Sequence, residues 1–163
     1  MEILDLYDDF GNKLNKTINR GEKPLDGENI MLSIVYIKNN EDKYLIQKAS
    51  KEKGGYYSST GGHVTEGEDG LSTILREMQE ELSLDNIHEE NLIHVKTFKY
   101  PNKYCIFNVY LYEVENIDLN TLKLQEIEVS KVMWLTKEEV LDLIDQGLFL
   151  ESHGYIFKNY ILK

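Results

Sequence analysis

Glu77, Glu80 and Glu81 stand at i, i+3 and i+4 in a stretch whose apolar residues, Leu71, Ile74, Leu75, Met78 and Leu82, recur at helical spacing. At about 100° per residue the three carboxylates share one face, beside the apolar stripe and not opposite it. Like charges so placed repel by a few tenths of a kcal/mol when exposed, and by more when desolvated. A divalent cation relieves that repulsion, and hard carboxylate oxygens suit magnesium or manganese. Taken alone, such a row is ordinarily a solvated acidic face; the chemistry depends on what surrounds it.

Upstream lies Gly61-Gly62-His63-Val64-Thr65-Glu66-Gly67-Glu68. Paired glycines let another chain segment approach closely where a strand turns into a loop, and an exposed carbonyl there could be a further metal ligand. Arg76 can grip a carboxylate with two parallel hydrogen bonds and hold it in place. His63 follows the glycines; contact with metal or substrate and a purely structural role are both open to it. Tyr56 and Tyr57 could stack on a nucleobase or be ordinary loop tyrosines. Cys105 reads as a small hydrophobe, and Trp134 as a core residue.

The elements that must position these groups are legible in outline. Residues 2–7 form a strand that turns at residues 8–12 into a second strand over 13–18. Residues 31–37 are a continuous apolar, β-branched run, a buried strand, and Tyr44 to Gln47 begin its return. Residues 49–60 read as a loop. The acidic helix runs from about 69 to 82. Strands follow at 92–100, 104–114 and 129–135, with Tyr104, Tyr110 and Tyr112 alternating on one face. Thr136 to Glu139 is a capping-box pattern that opens a second helix ended by Gly147. Residues 152–162 form a last short helix. The order implies an α+β fold, a mixed β-sheet packed by helices.

The whole chain, 163 residues with 41% hydrophobic content, suits one globular domain over 1–163, with residues 1–28 as an N-terminal hairpin extension. The net charge of −11 disfavours nucleic acid and anionic membrane as partners but not an anionic substrate, since a bound cation inverts the local field. One cysteine permits no internal disulfide, and no stretch reads as a leader or a membrane span. These features fit a soluble cytoplasmic protein.

Gly62, Glu68, Arg76, Glu77, Glu80 and Glu81, spaced G-x5-E-x7-R-E-x-x-E-E and closed by the apolar Leu84, resemble the Nudix box of the Nudix hydrolases. A chance match at one start has a probability on the order of one in a million or less. One position departs from the pattern: Ser83 stands where the family has glycine, at a place that often needs φ > 0. The resemblance implies a Nudix-type α/β/α sandwich. It implies a metal site of Glu77, Glu80 and Glu81 with the Gly61 carbonyl, and Glu68 paired with Arg76. Glu77, Arg76 and Glu80 become the expected catalytic residues, with Mg2+ or Mn2+ as cofactor. Glu77 is the first choice for general base, and Glu126 or Glu128, just before the 129–135 strand, the second. The family reaction is attack of water on phosphorus in a nucleoside diphosphate linked to another moiety, a small-molecule partner, and a homodimer is compatible with it.

The N-terminal stretch, together with YLIQKAS and SSTGGHV, is similar to the isopentenyl-diphosphate-isomerase-like branch of that family. True isomerases of the branch carry a cysteine where this chain has Gly61, which argues against isomerisation of a prenyl diphosphate. A binding module that kept the fold and lost turnover is the other alternative, and the intact box argues against it.

Overall fold

The computed structural model describes residues 2–162. Nine strands are present: β1 (Ile3–Tyr7), β2 (Lys13–Asn19), β3 (Ile30–Lys38), β4 (Tyr44–Ala49), β5 (Tyr57–Ser58), β6 (Thr60–His63), β7 (Leu92–Lys99), β8 (Cys105–Glu113) and β9 (Val129–Leu135). The helices are α1 (Gly70–Leu82), α2 (Lys137–Asp145) and α3 (Glu151–Ile156), the last widening into a π-turn over Phe157–Ile161. Among the described residues no helix is long and apolar enough to cross a membrane.

β1 and β2 form an antiparallel hairpin. The remaining strands make a mixed sheet ordered β5-β4-β3-β8-β7, with β6 added to β3 and β9 to β4. β3 and β8 run parallel in register from Ile30↔Cys105 to Lys38↔Glu113. β3 and β4 share only the pair Lys38↔Tyr44. Beyond it they diverge: β6 takes over the edge of β3, from Leu32↔His63 to Val35↔Thr60, while β4 pairs with β9 along its length. The segment 57–63 crosses from β4 to β3 and joins the two halves.

Side-chain alternation sends β3 residues to both faces. Ile34 and Tyr36 pack with Ile46, Phe107, Val109 and the helical Val140, Ile156 and Phe157. Val35 and Ile37 pack with Leu45, Tyr110, Tyr112 and the α1 residues Ile74, Met78 and Leu82. The result is a layer of α1, a layer of sheet and a layer of α2 and α3, as the α+β order implied. Ile74, Met78 and Leu82 are fully buried, which contributes about 1.5–3 kcal/mol each. Leu71, expected in that stripe, is instead solvent-facing at the first turn. Tyr104 also departs from expectation. It precedes β8 and its hydroxyl donates to Asp26, while Tyr110 and Tyr112 lie in the core.

Residues 49–60, expected as loop, contain a 3-10 turn and β5, and β6 begins at Thr60 and runs through the glycine pair. Two glycines in four residues weaken a strand's local signal; here the register with β3 supplies what propensity does not.

Candidate active site

α1 starts on a reciprocal cap. Ser72 N donates to Asp69 Oδ1 at 2.8 Å and Asp69 N to Ser72 Oγ at 3.1 Å. Its first turn is fixed to the sheet by Ser33 Oγ, which donates to the Gly70 carbonyl at 2.9 Å. A side chain at Gly70 would place Cβ 2.6 Å from Asn108 Nδ2, so glycine permits this close docking. The helix ends at Ser83, in the left-handed region with φ 55°, the conformation that makes glycine common there. Ser83 meets it with a hydroxyl that donates to the Lys123 carbonyl at 2.7 Å.

Between these ends the acidic row faces β6. A Cβ at Gly62 would lie 2.1 Å from Glu77 Oε1, and one at Gly61 2.4 Å from the Ser33 carbonyl. The two glycines therefore let β6 pass between β3 and the carboxylates. Arg76 organises the row. Nε and Nη2 donate to Glu68 Oε2 and Oε1 at 2.8 and 2.9 Å, a two-point grip. Nη1 donates to Glu77 Oε1 at 3.0 Å and Glu80 Oε2 at 3.1 Å, and Nη2 also reaches the His63 carbonyl at 3.2 Å. Thr65 adds hydrogen bonds to Glu68 from its backbone N and its hydroxyl. The Arg76 pair and these bonds hold the Glu68 carboxyl down at about 2.

The other carboxylates are pushed the opposite way. Glu81 occupies the apolar stripe, i+7 from Ile74, and is 8% exposed. Burial first, then the charge of Glu77, raises it to about 8. Burial also raises Glu77 to about 7, while Glu80 remains exposed at the rim. Burial lowers His63, helped by the positive charge of Arg20; His63 contributes its carbonyl to Arg76.

These groups line a cleft of about 210 Å³. Five glutamates face two arginines there: Glu2, Glu77, Glu80, Glu81 and Glu128 against Arg20 and Arg76. Of the two acids considered beyond the helix, Glu128 lines the cleft, whereas Glu126 is exposed and outside the lining. Tyr56, Tyr57 and Cys105 do not line it. Three lining residues carried no sequence signal: Glu2 and Arg20, paired at 2.7 Å, and Gln125. A larger hollow of about 530 Å³ lies between the end of α1 and β8, but its acidic groups, Asp85, Glu90 and Glu115, are exposed rim side chains.

The donor set is hard oxygen, crowded with negative charge and partly withdrawn from water, which fits a divalent cation. Among the described residues no three acidic, histidine or cysteine side chains converge into a ready shell; the Arg76 guanidinium stands between Glu77 and Glu80.

Comparison with known proteins places this geometry in context. A family model described as the NUDIX domain matches residues 31–154. An uncharacterized Nudix hydrolase of Listeria monocytogenes is 31% identical over 168 residues, covering 99% of this chain and 94% of that protein. One from Listeria innocua is 30% identical over 171 residues, covering 100% and 95%. A crystal structure of a Deinococcus radiodurans protein, DR0079, superposes with a TM-score of 0.75 at 22% identity, covering 91% of both chains. A bifunctional NMN adenylyltransferase/ADP ribose pyrophosphatase of Francisella tularensis, complexed with AMP and a manganese ion, gives 0.67 at 21% identity, over 85% of this chain and 41% of that one.

Proposed function

Since this chain belongs to the NUDIX domain family, we propose that it is a metal-dependent pyrophosphohydrolase. Its substrate is a nucleoside diphosphate linked to another moiety, cleaved by attack of water on phosphorus. The observation that carries this is the Gly61-Gly62 strand laid against Glu77 and Glu81 while Arg76 grips Glu68. The motif spacing and the cleft are then one object.

In this reading Glu77, Glu80 and Glu81, with the Gly61 carbonyl, hold Mg2+ or Mn2+. Bound there, the ion would neutralise phosphate oxygens and lower the pKa of attacking water. Glu77 takes the proton from water, with Glu128 the second choice, now separated from Glu126 by its place in the cleft wall. Arg76 keeps the carboxylates apart and oriented. Arg20 is half exposed and, among the described residues, its guanidinium bonds only Glu2, so it offers a cation to the incoming phosphate. Residues 1–163 form one hydrolase domain whose 1–28 hairpin extension brings Glu2 and Arg20 to the rim. The protein works in the cytoplasm.

The finer likeness, to the isopentenyl-diphosphate-isomerase-like branch, is read as shared ancestry of fold. Gly61 stands at the isomerase's cysteine position, and Cys105 packs beside the cluster under α2 and α3.

The test is phosphate release from nucleoside diphosphates, triphosphates, nucleotide sugars and dinucleoside polyphosphates, with and without magnesium, coupled to a pyrophosphatase where the product requires it. Metal-dependent turnover of one class is expected. Silence across the panel from folded, magnesium-binding protein would overturn the hydrolase assignment for these substrates.

A further inference from the structure

Gln47 sits in the middle of β4, paired across to Val132 of β9 and Ser58 of β5. By alternation it faces the same way as Leu45, which packs under α1. It is therefore a polar residue placed on a face otherwise used for core packing, 5% exposed. Such a residue is retained only if its hydrogen bonds are made.

They are made to two residues, Glu81 and Thr60. Gln47 Nε2 donates to Glu81 Oε2 at 3.2 Å. Thr60 Oγ1, itself 1% exposed, donates to Gln47 Oε1 at 2.9 Å. Gly61 N donates to the other carboxylate oxygen, Oε1, at 3.3 Å. The two ends of a glutamine amide are nearly the same shape, so something must select which end points where. The Glu81 carboxylate, which only accepts, does so by drawing the NH2 end, and Thr60, donating to Oε1, holds the other end of the amide. A reversed amide would set its oxygen against a carboxylate oxygen. Glu81 is thus held from two strands, by β4 through Gln47 and by β6 through Gly61, and cannot rotate without giving up one donor.

We propose that Gln47, braced by Thr60, is a positioning residue that fixes the orientation of Glu81 and thereby sets the affinity of the acidic site for its divalent ion. This rests on the reading of Glu81 as a metal ligand. Donors behind a metal-binding side chain commonly contribute about 10- to 100-fold to metal affinity, and the effect is expected here in binding before any substrate is present.

The experiment titrates Mn2+ alone into the full chain, following free ion by electron paramagnetic resonance and the melting temperature of the same samples. Gln47→Leu keeps length and burial but removes the amide; its Mn2+ dissociation constant should rise about 10-fold. Thr60→Val should shift it in the same direction by less, Thr60→Ser should restore it, and the Gln47→Leu/Thr60→Val double variant should bind no more weakly than Gln47→Leu. That lack of additivity marks Thr60 as acting through Gln47. A Gln47→Leu protein that melts lower yet binds Mn2+ as tightly as the parent would overturn the proposal and leave Gln47 a core residue. If Gln47→Leu does not fold, equal affinity in Thr60→Val and the parent would overturn it instead. A parent that binds no Mn2+ would remove the metal-site reading and this inference together, whereas a parent that binds and turns over substrate beside unaffected variants would remove this inference alone.

Discussion

α1 and α2 are built from the same parts and serve different ends. Each begins on a reciprocal cap, Asp69 with Ser72 and Thr136 with Glu139. Each carries several acidic residues and buries an apolar stripe against one face of the sheet. In α2, Glu138, Glu139, Asp142 and Asp145 all face water. In α1, Glu81 lies within the stripe, Glu77 lies against Gly62, and only Glu80 is at the surface. The difference lies in what stands opposite. α2 presents its polar face to solvent, while α1 presents its own to a strand thinned by two glycines. Acidity does not make a site; a second wall close enough to desolvate the acids does.

The comparison can be broken most sharply by charge removal. Glu80→Gln or Glu81→Gln should lower magnesium-dependent turnover by about 10³-fold with the fold retained, while Asp142→Asn in α2 should leave it unchanged. Full activity in both α1 variants, measured by phosphate release, would show that the two helices do not differ in chemistry. Thickening the opposite wall comes next. Gly62→Ala forces a Cβ onto the position of Glu77 Oε1, and the resulting displacement should cost about 10²-fold in kcat/KM.

A smaller contrast lies in acid stability. The folded pKa of Glu68 is depressed from 4.5 to about 2, chiefly by Arg76. Its contribution is therefore present above about pH 4.5 and is lost as pH falls toward 2. Glu68→Gln should flatten that limb of a denaturation series, and by more than Glu139→Gln, whose exposed carboxyl is lowered chiefly by its hydrogen bonds to Thr136. The smallest effect expected is on the cap: Thr136→Ala should cost about 1 kcal/mol, or about 2–4 °C in melting temperature, without changing turnover.

The spacing of Gly62, Glu68, Arg76 and the three glutamates carried the helix and its acidic face, because those relations are local and a 3.6-residue period shows them directly. Even the cost of Ser83 was legible, since a helix end needs a left-handed residue there. What the sequence does not disclose is long-range. No local pattern links Gln47 to Glu81, or brings Glu2 and Arg20 from the hairpin to the rim. β6 has two glycines in four residues and forms because β3 offers it an edge. Glu128 and Glu126 are indistinguishable by composition; only the approach to β9 decides which one turns toward the cleft.

The divergence of β3 and β4 after Lys38↔Tyr44 has a consequence for what sets the width of the cleft. The two strands are like leaves of a book, with the Asn39–Lys43 turn as its spine. That turn is stiffened by Asn39, whose side chain accepts from Glu41 N and Lys43 N. One leaf carries Gly61, Gly62 and the docked α1; the other carries Gln47 and, leading into β9, Glu128. Further out the leaves are tied again, by the 57–63 crossing and by the bonds of Gln47 and Gly61 to Glu81, so the width of the cleft is fixed at two places, the spine and the tie.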